Sequence, residues 1–220
     1  MIRTTMGCGF IVAIAALSPF ARAQVVYQNV NPDWTFIQPI APGEEIGDDV
    51  TLAGTARYVT GFSVPISNTY ATPFAATFTA HFYAPTQDGL PGAQLWQGAL
   101  NLIDLQPGAD TTLNFPAPNV TVPDSFIWSL AVTTTPPASD PANEVIGTIN
   151  NDVPQVGSSN DVFFYNAGDG SGWGSFDYKP DPDIANFQAT ITASSVPEPA
   201  ACSVLALGAI AGLLRRRRHA

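Results

Sequence analysis

Cysteine and basic residues are nearly missing from this chain. Its two cysteines, Cys8 and Cys202, lie in the terminal apolar runs, and six of its eight Lys and Arg residues lie at Arg3, Arg22 and Arg215 to Arg218. Between Gln24 and Ser195 only Arg57 and Lys179 are basic, against seventeen acidic residues, which leaves a formal charge of −15. A surface of that sign repels phosphate backbones, so nucleic acid is excluded as a partner, and divalent cations or neutral glycans fit better. Without cysteine no disulfide can staple this stretch, and its fold must rest on a buried core. About 172 residues are enough to bury one. His81 is the only histidine in the same stretch. That excludes Cys-His catalysis and a three-histidine zinc site, and no G-x-S-x-G motif marks an activated serine.

What is present divides the chain into three. Met1 to Ala23 carries Arg3 near its start, an uncharged run from Thr4 to Phe20, and then Ala21-Arg22-Ala23. This is the layout of a secretory signal peptide with an A-x-A cleavage site, so the mature chain is expected to begin at Gln24. Ser18-Pro19 breaks any helix where the apolar run should end. Signal peptidase and the export machinery are then partners of the chain.

Residues 24 to 195 read as strands. Phe74, Ala76, Phe78, Ala80 and Phe82 alternate along one face, and Phe126, Trp128 and Leu130 do the same. Further β-rich runs are Val25 to Val30, Val50 to Ala53, Ala56 to Val64, Gln94 to Leu105, Thr111 to Phe115, Val145 to Thr148, Val162 to Asn166 and Ala185 to Thr192. Turn signals such as Asn31-Pro32-Asp33, Gln87-Asp88-Gly89, Pro107-Gly108 and Asp169-Gly170 separate them. No long window carries a helical apolar stripe. The expectation is an all-β, antiparallel two-sheet β-sandwich of eight to ten strands, jelly-roll-like or immunoglobulin-like. Residues 136 to 159, rich in Pro, Ser, Asn and Asp, read mostly as a long loop.

Three kinds of site are worth weighing in this body. The Gly-rich stretch from Asn166 to Asp177 could wrap a hard cation such as calcium with Asp169 and Asp177, although it lacks the order of an EF-hand. It reads equally as an acidic hairpin. Glu44-Glu45 with Asp48-Asp49, and Asp181 with Asp183, are weaker clusters of the same kind. Trp173, flanked by glycines in that stretch, is a candidate for stacking on a sugar, whereas Trp128 reads as core; Trp34 and Trp96 complete the tryptophans. His81 follows Ala80 on the outward face of its strand and reads as solvated or locally bonded rather than as a catalytic base. A carboxylate pair could in principle hydrolyse a glycoside, but among seventeen acids some pair always looks suitable.

The remaining segment, 196 to 220, begins with Pro197-Glu198-Pro199, continues in an uncharged run from Ala200 to Leu214, and reaches Arg215, Arg216, Arg217 and Arg218. Fifteen helical residues span about 23 Å against a hydrocarbon core of about 30 Å, a short transmembrane helix whose arginines stay on the cytoplasmic side. Triplet, apolar segment and arginine cluster together resemble the PEP-CTERM sorting signal of bacterial exported proteins. The resemblance implies recognition by an exosortase, cleavage near the triplet, and release or attachment at the cell surface or in the exopolysaccharide matrix. Gly47 to Arg57, Val120 to Phe126, Gly170 to Trp173 and Ala185 to Phe187 also resemble an exported β-rich ectodomain found ahead of such signals. That group has no assigned activity, so it implies no functional residues.

The sequence therefore leads to an expected protein that is exported, held in the membrane by its C-terminal helix until processed, and then placed at the cell surface or in the extracellular matrix. Its expected role is structural or adhesive and not enzymatic, with a glycan-binding module, calcium-assisted or not, as the alternative and a glycoside hydrolase third. Intact-mass spectrometry of the natively expressed protein should find a chain starting at Gln24 and lacking the arginine cluster; an unprocessed mass would contradict both terminal assignments.

Overall fold

The computed structural model describes residues 22–31, 36–134, 145–151, 153–177 and 186–195. The sorting signal at 196–220, all but the last two residues of the leader, Trp34, Lys179, Asp181 and Asp183 lie outside the described residues. Those described form fourteen β-strands and no helix: β1 (Gln24–Asn29), β2 (Ile37–Pro39), β3 (Glu45–Thr51), β4 (Tyr58–Asn68), β5 (Phe74–Pro85), β6 (Pro91–Leu105), β7 (Ala109–Asn114), β8 (Val120–Thr121), β9 (Ser125–Val132), β10 (Ile146–Asn151), β11 (Val162–Asn166), β12 (Trp173–Asp177), β13 (Asn186–Phe187) and β14 (Ala189–Ser194). The strand count exceeds the expected eight to ten because β2, β8 and β13 are only two or three residues long, and β12 follows directly on a Gly-rich turn.

The strands make two antiparallel sheets. One runs β12-β11-β3-β9-β5-β6; the other runs β1-β14-β4-β10-β13, with β2 on β10 and with β7 and β8 on β4. β4 is the spine of the larger sheet. Along one edge it pairs with β14 up to Ser63 and with β10 from Ile66 onward. The change of partner falls at Val64 and Pro65, where proline has no N–H to give a ladder. The expected run at Val145 to Thr148 becomes β10, which lies inside this sheet and extends to Asn151. The chain after β10 then stitches the sheets together, because Val156 bridges to Gln28 of β1 and Ser158 to Thr51 of β3.

Apolar faces of the two sheets meet in one core. Ala76, Phe78, Ala80 and Phe82 of β5 and Phe126, Trp128, Leu130 and Val132 of β9 are buried from one side, and Val59, Phe62, Val64 and Ile66 of β4 from the other. Phe62 joins them. Its ring meets Phe82 edge-on at 5.0 Å, Trp128 at 5.6 Å, Phe115 at 5.6 Å and Trp96 at 6.1 Å. Trp128 is thus core, as its alternation with Phe126 and Leu130 implies. At the rim of the six-stranded sheet, β6 pairs with β5 through three register shifts, and Leu102 takes a left-handed φ of 53° while 72% exposed.

One acid enters this core. Strand alternation carries Ile46, Asp48 and Val50 inward from β3, and Asp48 is fully buried. Its carboxylate accepts from Ser159 Oγ at 2.8 Å and from the Phe187 N–H at 2.9 Å. Burial above all, then the charge of Asp49, pushes its pKa well above the ordinary aspartate value despite those two donors. The folded state therefore favours protonated Asp48. Its contribution to stability is complete below the ordinary aspartate pKa of 3.8 and is lost as pH rises from there through the raised folded value. In urea titrations from about pH 4 to pH 8, Asp48→Asn should gain on the wild type steadily as pH rises; a difference independent of pH would contradict this account.

Candidate ligand-binding site

The outward face of the six-stranded sheet carries the residues that alternate with the core positions. β3 presents Glu45, Gly47 and Asp49 on this face, β9 presents Ile127 and Ser129, β5 presents His81 and Tyr83, and β11 presents Val162 and Phe164. Register brings distant residues side by side, with Gly47 opposite Ser129 and Ser129 opposite His81. A Cβ on Gly47 would come within 2.5 Å of the Trp128 carbonyl oxygen and 3.0 Å of Ser129 Cβ, so only glycine fits where β3 runs this close to β9.

Glu45, on the same face, gathers three donors on one oxygen. His81 Nδ1 lies 2.7 Å from Oε1, Tyr83 donates its hydroxyl at 3.2 Å, and Ser129 Oγ donates to the same atom. The side chains of His81 and Glu45 are only 14% and 15% exposed. Burial alone would raise the Glu45 carboxyl, but the hydrogen bonds from His81 and Ser129, the imidazole charge and the Tyr83 hydroxyl outweigh it and hold the pKa below the ordinary glutamate value. Burial and the neighbouring Glu45 carboxylate push the Tyr83 phenol upward, so it stays a donor. His81 is thus locally bonded, and its partner comes from a strand that sequence could not place beside it.

Next to this network the face turns apolar. Tyr83, Ile127 and Phe164 are buried in a small cluster of their own, covered by Leu90, Val162 and Trp173. The Trp173 ring meets Tyr83 edge-on at 5.6 Å and is half-buried. A groove of about 470 Å³ runs beside them, floored by Ile127, Val162 and Phe164, walled by Leu90 and edged by Asp49 and Asp88. Asp49 accepts from the Asn160 N–H at 3.3 Å and from its side-chain amide. Burial pushes its pKa above the ordinary aspartate value, the Asn160 hydrogen bonds oppose this, and the charge of Asp161 adds to it.

The acids singled out in the sequence are distributed differently from their spacing. Glu44, Glu45, Asp48 and Asp49 do not converge. Asp48 points into the core, Glu45 and Asp49 point outward, and Glu44 is taken up by the Ala41 N–H at 2.9 Å and the Tyr165 hydroxyl at 2.7 Å. Asp169 and Asp177 are also apart. Asn166 pairs with Trp173 next to the turn and Val162 pairs with Asp177 at the far end of the hairpin, so Asp177 stands about 13 Å along β12 from the turn that holds Asp169. Asp169 is instead held by Ser171, whose hydroxyl first and then its N–H, at 2.8 Å, lower its pKa. The turn needs glycine, with φ of 72°, 89° and 86° at Gly168, Gly170 and Gly172. Among the described residues no group of three or more His, Cys, Asp or Glu is placed to hold a metal. Trp173 opens β12 and folds onto Tyr83, packed against the small apolar cluster beside the groove and not as a free platform.

Compared with known proteins, the chain matches no family model and no curated protein.

Because Glu45 has a lowered folded pKa, its contribution to stability is present above the ordinary glutamate value and is lost as pH falls through the folded one. Glu45→Gln should cost about 1–3 kcal/mol at pH 7, the scale of hydrogen bonds to a charged group, and the deficit should shrink below about pH 4. Urea denaturation at both pH values measures it, and an unchanged midpoint at pH 7 would show that the network carries no stability.

Proposed function

We propose that this is an exported protein, sorted by an exosortase to the cell surface or the extracellular matrix, with an adhesive and non-catalytic role. The leader pattern at Met1 to Ala23 and the run from Pro197-Glu198-Pro199 to the arginines at Arg215 to Arg218 support the address. We read the body as a sandwich of the jelly-roll-like or immunoglobulin-like kind that works through the outward face of its six-stranded sheet.

The observation that carries the adhesive reading is the groove on that face. An apolar floor of Ile127, Val162 and Phe164, with Leu90 at its side, suits the C–H faces of a sugar, while Asp49 and Asp88 at its edges suit hydroxyl donors. The body's formal charge of −15 works against anionic polymers, which leaves a neutral exopolysaccharide as the ligand. Glu45 contributes by fixing Tyr83, on which Trp173 rests. Calcium would enter, on this reading, through the exposed Asp169 turn as an aid to polymer contact, not as part of the groove.

A glycan array and a matrix-polysaccharide pull-down with the exported chain provide the test. Binding to neutral glycans is expected, weakened at least tenfold in Leu90→Ala and in Phe164→Ala, with little dependence on salt. If the wild type holds no neutral glycan, or the variants hold it equally well, the groove is not the adhesive surface.

A further inference from the structure

Four polar atoms face the interior near Asp48 without a hydrogen-bond partner. They are Trp128 Nε1, Thr148 Oγ1 and both amide atoms of Asn150, and none of these three side chains is exposed. Sheet register draws the set together at Phe187. Asp48 and Trp128 are cross-strand partners on the inner face of one sheet, and Asn150 and Phe187 are partners in the other. The Phe187 N–H donates to Asp48, its carbonyl oxygen accepts from Asn29, and its ring lies 6.2 Å from that of Trp128. Thr148 shares the inward face of β10 with Asn150.

We propose that the space around Asp48, between β3, β9, β10 and β13, is an internal binding site for ordered water. Buried polar groups persist in folded proteins only when something satisfies them, and internal waters with about three hydrogen bonds each commonly do so. The chemistry of this set selects water over a metal ion. Trp128 Nε1 can only donate, Asn150 presents a donor and an acceptor, and Thr148 can do either. A cation would satisfy the oxygens and repel the two N–H groups. Water serves both, and it also reaches the lone pairs of Asp48 that Ser159 and Phe187 leave open.

Water–protein NOE and ROE spectra of the exported chain test the site, with Trp128→Phe assigning the indole signal. The Trp128 Nε1–H should show a direct cross-peak at the water frequency with the sign of a water held longer than nanoseconds; its absence overturns the proposal. Thr148→Val, nearly isosteric and favourable in a strand, gives a second reading that does not rely on Trp128. A hydroxyl anchored to water makes the urea midpoint fall in this variant, whereas a rise shows a hydroxyl that stood unpaired and also overturns the proposal. Millimolar calcium added after chelation should change the melting temperature of the wild type and of Asp48→Asn to the same extent, if at all. A rise in the wild type that Asp48→Asn abolishes would put a cation in place of the water.

Discussion

Aromatic contact between the two sheets is the interaction on which the rest of the molecule depends. With no cysteine between Gln24 and Ser195, nothing covalent ties one sheet to the other. Phe62 from the larger sheet fills that role, reaching Phe82 and Trp128 of the smaller one while also lying against Trp96 and Phe115. Edge-on and tilted rings pack at interior density and add specific geometry to the area they remove from water. A core closed this way draws nothing from the outward face of the six-stranded sheet, where Glu45, His81 and Ser129 form their own network. It also makes any polar group that enters it conspicuous.

Strand β3 shows how one chemical group serves two ends within three residues. Asp48 and Glu45 are both carboxylates, yet their environments move them in opposite directions, Asp48 up and Glu45 down. The number of donors and the reach of solvent decide the outcome. Asp48 has two donors and no exposure, so desolvation wins. Glu45 has three donors on one oxygen, one of them a histidine, and keeps a slight opening to water, so the charged form wins. Gly47, between them in the chain, makes room for the outward arrangement by having no side chain at a point where the neighbouring backbone comes close.

Much of the architecture was legible in the sequence because side-chain alternation has only one period to find. β5, β9 and β11 stand where the alternating or β-rich runs lie, and the two antiparallel sheets follow from their number. Short strands escaped because two or three residues cannot show a period, as in β2 and β8, and β13 merges with β14 into one β-rich run. β12 escaped because Gly174 and Ser175 interrupt its apolar signal. The outward network was illegible for a different reason. Glu45, His81 and Ser129 lie 36 and 84 residues apart, and only register brings them together. Asp49 finds its partner in Asn160, 111 residues further on. The inward turn of Asp48 was within reach, since Ile46 and Val50 flank it at a spacing of two.

The irregular pairing of β5 with β6 bears on how copies of this chain behave when crowded. A straight edge of fifteen residues would be a ready template for a second molecule, because its outer N–H and C=O groups point away from the sheet in a continuous row. Three register shifts and a left-handed Leu102 break that row into short, differently aimed pieces. Such an edge resists fibre growth, so molecules packed densely at a surface meet through their faces and keep their separate identities.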